Sequence, residues 1–521
     1  ITGSLSECVA ALKTDASKVV AATAIVNISD APITSSDANV TSLNDVAGAT
    51  SGVVTASFGS SAISRLADLT TASTDVITLI VSDSVTVTQG NTLVGKTAGN
   101  ITFAGIKDAH NNMITSNAIS TNLSNILANA GADAVAITVD GAIDDITADE
   151  VTALNLITDA TTGTVTASID GNTAQLKTLS ANSDQTATCN FTITVDDKPN
   201  LADAQTILAT TSKTTYQITN GIEDTYANIY QNGNYTNLNA VKVGDSDVAI
   251  TVSDAVSVDA GKTVAESTTG TVTISAVTDT VANLLNGDAI HSDFKVITDE
   301  AGCDNINLTI NTGATINIAQ ANALLAVIGT GSFTVTDGIS DTSANILQRD
   351  NSNVAQFTNI NTIVAKTNDI KITQASGTMT IDEGNTLAGK TTGTVTYTGG
   401  ISDEVANIDA TKLGNIQSED ADFGITITDA ITVVNALAVI AKTSGSVSFT
   451  AGISDTTAQL KSGGTTFANI DTIVNKDADV TIVQASGTFT INEANTLAGK
   501  TTGTVTLTGG ISDANDNIDS T

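Results

Sequence analysis

The chain has 521 residues, with 55 Asp and Glu against 20 Lys and Arg, and its formal net charge is −35. Nucleic acids and anionic membranes bind to basic surfaces, which so acidic a chain lacks. Neither is therefore expected as a partner. Aromatic residues make up 3% of the chain, whereas 41% of the residues are apolar. These proportions argue against a disordered chain and against a set of aromatic-rich globular cores.

No apolar run approaches the ~20 residues that a membrane-spanning helix needs, so membrane insertion is not expected. Cys8, Cys189 and Cys303 lie far apart in the sequence, in a spacing that suits neither a metal site nor a disulfide framework.

One unit recurs along the chain: an apolar and Thr-rich strand, a turn, and the motif Ile-Ser-Asp-Thr-x-Ala-Asn-Ile or a near relative. Successive copies start 48 to 63 residues apart, about 57 on average. They begin at Phe58, Ile106, Ile169, Ile222, Val277, Ile339, Ile401, Ile453 and Ile511. We therefore expect a degenerate N-terminal portion, residues 1–57, and one continuous array, residues 58–521, that ends inside a repeat.

Within a copy the hydrophobic period changes. Residues 479–484, 487–491 and 503–508 alternate apolar residues with Thr, which predicts three short strands with one buried face. Residues 492–500 (NEANTLAGK) carry one apolar stripe and predict a short helix. The Ser-Asp that follows the third strand predicts a second helical turn.

Units this small become stable by stacking on their neighbours. Matching strands of successive copies are expected to pair in parallel, which predicts a β-rich solenoid, namely a parallel β-helix with short helical turns. An α/β solenoid of the leucine-rich-repeat kind is the alternative, because strand and helix also alternate there.

The Asp of the Ile-Ser-Asp motif is the first candidate site residue. It is expected to cap the following helical turn, and a row of such carboxylates could instead bind Ca²⁺ as the one expected cofactor. The residues are Asp108, Asp224, Asp279, Asp341, Asp403, Asp455 and Asp513.

Four of the five tyrosines lie between residues 216 and 235, and Tyr226, Tyr230 and Tyr235 are the candidate ligand-binding residues for a polysaccharide. No catalytic residue is predicted, because His110 and His291 share no position in the repeat and the basic residues are scattered. Residues 90–97 and 384–391 match the phosphate-loop pattern. However, the match covers a short helix followed by a strand, the reverse of a nucleotide site, so a structural role is expected.

The stretches TGTVTYTGGISDEVANI and INEANTLAGKTTGTVT resemble the repeats of very large secreted bacterial surface proteins, among them cyanobacterial S-layer-like, adhesin and hemolysin-type proteins. This resemblance implies an extracellular, non-enzymatic chain at the cell surface that forms a layer, fibre or stalk by self-association. The expected partners are further copies of the chain, and an adhesin that binds surface polysaccharide is the alternative.

Overall fold

The computed structural model describes residues 1–13, 22–129, 134–179, 189–209, 215–311, 313–462 and 466–514. Contacts divide the chain into two compact units. The first comprises Ile1–Ser253 and Glu266–Thr273, and the second comprises Asp254–Ala265 and Ile274–Thr521. The predicted end of the array inside a repeat falls on residues 515–521, which lie outside the described residues.

In the first unit short strands alternate with helices. Its strands are β1 (Thr2–Gly3), β2 (Val26–Ile28), β3 (Val54–Ser57), β4 (Val76–Val85), β5 (Ile101–Ala109), β6 (Ile114–Thr115), β7 (Ala118–Ile119), β8 (Ile137–Ile143), β9 (Val165–Gly171), β10 (Cys189–Val195), β11 (Thr215–Ile218), β12 (Ile222–Asp224), β13 (Ile250–Val252) and β14 (Val272–Ile274), whose last residue belongs to the second unit. Its helices are α1 (Leu5–Lys13), α2 (Asp37–Gly48), α3 (Ile63–Leu66), α4 (Val87–Val94), α5 (His110–Met113), α6 (Thr121–Asn129), α7 (Ala148–Ala160), α8 (Thr173–Leu176), α9 (Leu201–Ala209), α10 (Tyr226–Ile229) and α11 (Thr236–Gly244).

The strands of the first unit pair in chain order. Nine of them form a sheet in the order β1-β2-β3-β4-β5-β8-β9-β10-β11, and every neighbouring pair is parallel. A three-stranded sheet follows in the order β12-β13-β14, and β6 with β7 forms a small antiparallel hairpin. Parallel strands need a connection between them, and a helix lies in each of these connections within the described residues.

The second unit has the same alternation. Its elements are α12 (Val258–Ala265), β15 (Ala276–Asp279), α13 (Val281–Leu284), β16 (Leu285–Asn286), β17 (Ala289–Ile290), α14 (Ser292–Thr298), β18 (Asn307–Ile310), α15 (Ile318–Leu325), β19 (Phe333–Val335), β20 (Ile339–Thr342), α16 (Ser343–Leu347), α17 (Thr358–Val364), β21 (Ile372–Ser376), α18 (Ile381–Ala388), β22 (Val395–Tyr397), β23 (Ile401–Asp403), a 3₁₀ turn (Val405–Asn407), α19 (Ala410–Glu419), β24 (Ile425–Ile427), α20 (Val433–Ile440), β25 (Val447–Phe449), β26 (Ile453–Thr456), α21 (Thr457–Leu460), α22 (Ala468–Val474), β27 (Ile482–Ser486), α23 (Ile491–Ala498) and β28 (Val505–Leu507).

Four three-stranded parallel sheets follow one another in the second unit: β15-β18-β19, β20-β21-β22, β23-β24-β25 and β26-β27-β28. Single parallel bridges such as Met379 to Ile401 and Phe489 to Ile511 add further pairing between matching positions. Along each strand inward residues are buried and the outward ones are more exposed, so Ile372 packs in the core while Thr373 does not. This is the period of two that the Thr-rich alternation predicts.

The longer helices, those of seven or more residues, pack beside one another in chain order. We define a segment as one such helix together with the strands and any short helical turn that lie between it and the preceding longer helix. In the second unit α12 contacts α14, α15 contacts α17, α18 contacts α19 and α20 contacts α22. The inward residues Leu387, Ile416 and Val439 are fully buried. Burial of these aliphatic stripes supplies the hydrophobic stabilisation that a single segment cannot obtain alone.

A glycine in the Thr-Gly-Thr-Val stretch allows the chain to pass very close to the preceding segment. A Cβ atom on Gly393 would lie 2.2 Å from the backbone oxygen of Asp369, and one on Gly503 would lie 2.2 Å from that of Asp479. No side chain fits at these distances. The recurring glycine is therefore required by close backbone approach.

The sequence prediction of short parallel strands is confirmed, but the chain is a mixed α/β structure and contains more helix than a β-helix with short helical turns. Ala468–Val474, for which no helix was predicted, form α22. The strand predicted at 487–491 is reduced to the single bridge at Phe489, because α23 already begins at Ile491.

Candidate functional site

The aspartate of the Ile-Ser-Asp motif joins two segments, an arrangement that we call the aspartate bracket. Oδ2 of Asp403 accepts the N–H of Ile381, the first residue of α18, at 2.9 Å. Oδ1 accepts the N–H of Glu404 at 2.9 Å and the side-chain amide of Asn407 at 2.6 Å. The first N–H groups of a helix have no partner inside the helix. The carboxylate thus caps the helix of the preceding segment as well as its own turn.

The other six predicted aspartates form the same bond to the first residue of the helix in the preceding segment. The pairs are Asp108 with Val87 (2.9 Å), Asp224 with Leu201 (3.0 Å), Asp279 with Val258 (2.8 Å), Asp341 with Ile318 (2.9 Å), Asp455 with Val433 (3.1 Å) and Asp513 with Ile491 (3.0 Å). The Asn four residues later donates to the Asp in five of the seven brackets, those of Asp108, Asp224, Asp279, Asp341 and Asp403.

The geometry places each of these carboxylates in its own segment and does not gather them into one site. In each bracket Oδ1 and Oδ2 already accept backbone N–H groups. Over the described ranges, no group of three or more His, Cys, Asp or Glu residues is arranged to hold a metal ion. Ca²⁺ binding therefore stays a prediction from the sequence.

A second set of aspartates, which the sequence analysis did not single out, caps strands. Asp245, Asp420 and Asp477 each follow a helix and accept the N–H of Ile218 (2.8 Å), Tyr397 (2.7 Å) and Phe449 (2.6 Å). Burial raises the pKa of all three carboxyls, and the Asp two residues later raises it further. The recurring Asp-x-Asp at 245–247, 420–422 and 477–479 was the available signal.

Cys303 occupies the corresponding position in another segment. Its Sγ accepts the N–H of Ile274 at 3.2 Å, and burial raises the pKa of this thiol to about 11. A thiol with so high a pKa stays protonated at neutral pH and is a poor nucleophile or metal ligand.

Basic residues also connect neighbouring segments. Lys412 pairs with Asp382 at 2.5 Å, Lys500 with Asp471 at 2.8 Å and Lys262 with Asp293 at 2.8 Å. These pairs are partly exposed, so each adds little stability. They show that many of the few cations of the chain are used between segments.

The phosphate-loop matches have a structural explanation. The first glycine of the match at 384–391 lies in α18, where a Cβ on Gly384 would come within 2.8 Å of Ile401 Cδ1 and 3.0 Å of Ile416 Cδ1. The final residue of the match, Thr391, donates its hydroxyl to the carbonyl of Ile370 at 2.7 Å. A glycine for close packing and a Thr that closes a turn account for the pattern.

The three candidate tyrosines converge. The ring of Tyr230 lies 4.9 Å from that of Tyr235 and 5.7 Å from that of Tyr226, measured between centroids. Tyr226 lies in α10, and Tyr230 and Tyr235 flank a hairpin in which Gln231 and Asn234 exchange backbone hydrogen bonds at 3.0 Å. All three rings are half-buried. The fourth tyrosine of the stretch, Tyr216, is buried and donates to the carbonyl of Ala204, so it is not part of this cluster.

The two histidines are placed separately. His110 lies in the first unit, with Nε2 3.6 Å from Glu150, and His291 lies in the second, where Nδ1 accepts the N–H of Asp293 at 3.2 Å. Neither geometry assembles a nucleophile, base and orienting group.

None of the helices in the described ranges combines the length and the apolar character needed to cross a bilayer. A scan against models of known protein families gave no match to this chain, and a search among curated protein sequences found no relative.

Proposed function

We propose that the chain is an extracellular structural protein in which each unit is an α/β solenoid, and that its role is to extend and to self-associate in a layer, fibre or stalk. The alternation of strand and helix favours this alternative form over the parallel β-helix. The aspartate bracket carries the proposal. The most regular polar group of the repeat makes bonds that tie one segment to the one before it, which is what a mechanical scaffold requires.

A structural role without catalysis also agrees with how the other polar groups are used. Asp245, Asp420 and Asp477 cap strands, and Lys412 and Lys500 make ion pairs between segments. The chain also carries a net charge of −35, and this excess of acidic residues suits association through bridging cations at the cell surface.

Electron microscopy and sedimentation velocity of the purified protein, with and without Ca²⁺, test this proposal. We expect filaments or a lattice for the unaltered protein. Dispersed monomers of the unaltered protein in both conditions would contradict self-association.

A second candidate function, polysaccharide binding as an adhesin, is favoured by one observation. Tyr226, Tyr230 and Tyr235 come together at an exposed hairpin, and tyrosine is a residue that combines apolar contact area with a polar tip. Retention of the protein on immobilised polysaccharides, compared with a variant lacking these rings, tests this function.

A further inference from the structure

The tyrosine hairpin, which comprises Tyr226 and residues 230–235, has two sibling hairpins at the same place in the repeat. In the siblings, Ile114 pairs with Ile119 and Leu285 pairs with Ile290, where the tyrosine hairpin has Tyr230 and Tyr235. Ile114 and Leu285 are buried, at 6% and 4% exposure, whereas Tyr230 is half-buried. The fold therefore needs only an aliphatic pair at these two positions. The tyrosines add aromatic surface that the fold itself does not require.

The three rings form one continuous surface rather than a cage. Tyr230 is tilted by 54° to Tyr235 and by 31° to Tyr226, with the centroids 4.9 and 5.7 Å apart. Rings that already touch leave no space for a cation between them, as an aromatic cage for a quaternary ammonium group would require. The surface that remains is the outer one, which suits a flat apolar face laid against it.

The turn beside these rings carries amide donors that face solvent. Gln231, Asn232 and Asn234 are exposed, and the turn is tight because Asn232 and Gly233 have positive φ angles of 51° and 80°. Oδ1 of Asn234 accepts two bonds from Thr236, and Oε1 of Gln231 accepts one from Asn237. Within the described part of the chain, the side-chain NH₂ groups of these three residues donate to no acceptor. Three amide donors thus lie in the turn that connects Tyr230 to Tyr235, beside the ring surface.

The charge around the hairpin is negative. Burial raises the pKa of the Tyr235 hydroxyl, and the neighbouring tyrosines and Glu266 raise it further. Glu223 is also exposed on the strand that leads into α10. A sulfated or carboxylated glycan would be repelled here, as it would by the whole chain at −35.

We propose that the tyrosine hairpin binds an uncharged polysaccharide. The apolar face of a pyranose ring lies on the tyrosine surface, and the hydroxyl groups of the sugar accept hydrogen bonds from the amides of Gln231, Asn232 and Asn234. This inference rests on the second candidate function, since it names the chemical class of polysaccharide that the adhesin binds.

The sibling hairpins supply a matched variant. Tyr226→Val/Tyr230→Leu/Tyr235→Ile installs the residues found at Val281, Leu285 and Ile290, which the same local fold already accommodates. Asn232→Asp is a second variant, which replaces an amide donor with a carboxylate. Asn117→Asp in the turn of the β6–β7 hairpin is its control. Circular dichroism verifies that each variant is folded.

Affinity electrophoresis in gels that contain one soluble polysaccharide measures the binding. Neutral probes are dextran, laminarin and glucomannan, and acidic probes are alginate and polygalacturonate. We expect at least one neutral probe, and neither acidic one, to retard the protein. The triple variant and Asn232→Asp should bind at least tenfold more weakly, and Asn117→Asp should bind unchanged.

The outcomes separate the two proposals. Retardation only by the acidic probes would overturn the present inference and leave polysaccharide binding standing. If a neutral probe retards the triple variant as strongly as the unaltered protein, the binding site does not lie at the tyrosine hairpin. No retardation by any of the five probes would overturn both the inference and the adhesin function.

Discussion

The carboxylate of Asp403 accepts the backbone N–H of Ile381 at 2.9 Å, although the two residues lie 22 positions apart in the sequence. Ile381 opens α18, whose own cap is Thr380, joined to Glu383 by reciprocal hydrogen bonds. The helix start therefore receives one set of bonds from its own segment and one from the next. A segment that is displaced from its neighbour loses a cap, which couples local helix formation to stacking.

Removal of one bracket is expected to destabilise the second unit. Asp403→Ala leaves the buried N–H of Ile381 and the amide of Asn407 without their acceptor, and we expect a loss of about 1–3 kcal/mol in the free energy of unfolding. Urea denaturation followed by circular dichroism measures it. Glu404→Ala, at the adjacent exposed position, is the control and should change stability by less than about 0.5 kcal/mol. An equal loss of unfolding free energy in the two variants would show that the bracket does not contribute to stability.

Gly389 and Gly393, which lie in the same repeat, should differ sharply in how much stability is lost when each is replaced by alanine. Gly393→Ala places a methyl group against the backbone oxygen of Asp369, which cannot move alone, so a loss of about 1–3 kcal/mol or more is expected. In Gly389→Ala the nearest atom is the oxygen of Thr386 at 3.6 Å, an ordinary contact, so the change should be near zero. Thermal unfolding of both variants decides the matter, and a Gly393→Ala protein as stable as the parent would refute the close approach.

The carboxyl pair of Asp170 and Asp196 predicts a pH dependence of stability. A hydrogen bond that the protonated Asp196 donates to the neighbouring Asp170, with burial and further acidic charges, raises the pKa of Asp196 to about 6 from the ordinary 3.8. The folded state therefore holds a proton that the unfolded state has released, and stability rises as the pH falls from about 6 towards 3.8.

Asp196→Asn removes this titration while it keeps a hydrogen-bonding side chain. We expect the variant to be more stable than the parent at pH 7 and the difference to shrink at pH 4.5, as measured by urea denaturation at both values. A stability difference that is the same at both pH values would argue against the shared proton.

The three cysteines should react only when the protein unfolds. Cys8, Cys189 and Cys303 are buried and form no disulfide within the described residues, and burial raises the pKa of the Cys8 and Cys303 thiols. Few thiolates are therefore present at neutral pH, and reagent access is blocked. Titration with a chromogenic disulfide should detect almost no thiol in the native protein and three in urea. Rapid native labelling of any one of them would contradict its burial.

The sequence predicted the parts of the fold that depend on local periodicity. The Thr-rich alternation placed the strands near Ile482 and Val505, and the apolar stripe placed the helix at 492–500, which the structure has at Ile491–Ala498. It missed α22, although Phe467, Ile470 and Ile473 have helical spacing, because the stretch is short and begins with a left-handed Phe467. A helix of seven residues gains its stability from neighbours rather than from propensity.

The site residues were predicted less completely, for a related reason. The recurrence of Asp403 and its equivalents indicated a cap, but the partner N–H belongs to the preceding segment, and sequence spacing cannot reveal a bond that only stacking creates. Asp420 and Asp477 were overlooked because their motif appears in only some of the repeats. The convergence of Tyr226, Tyr230 and Tyr235 followed from their short separation along the chain.

Hydrogen exchange at the amide of Ile381 in the Asp403→Ala variant tests the central relationship most directly. Peptides that cover residues 379–384 and 402–409 report the two ends of the bracket separately. If one segment caps the helix of the segment before it, protection should fall at Ile381 as well as at 404–407. A loss confined to 404–407, with Ile381 as protected as in the parent, would contradict the stacking of segments through the aspartate bracket.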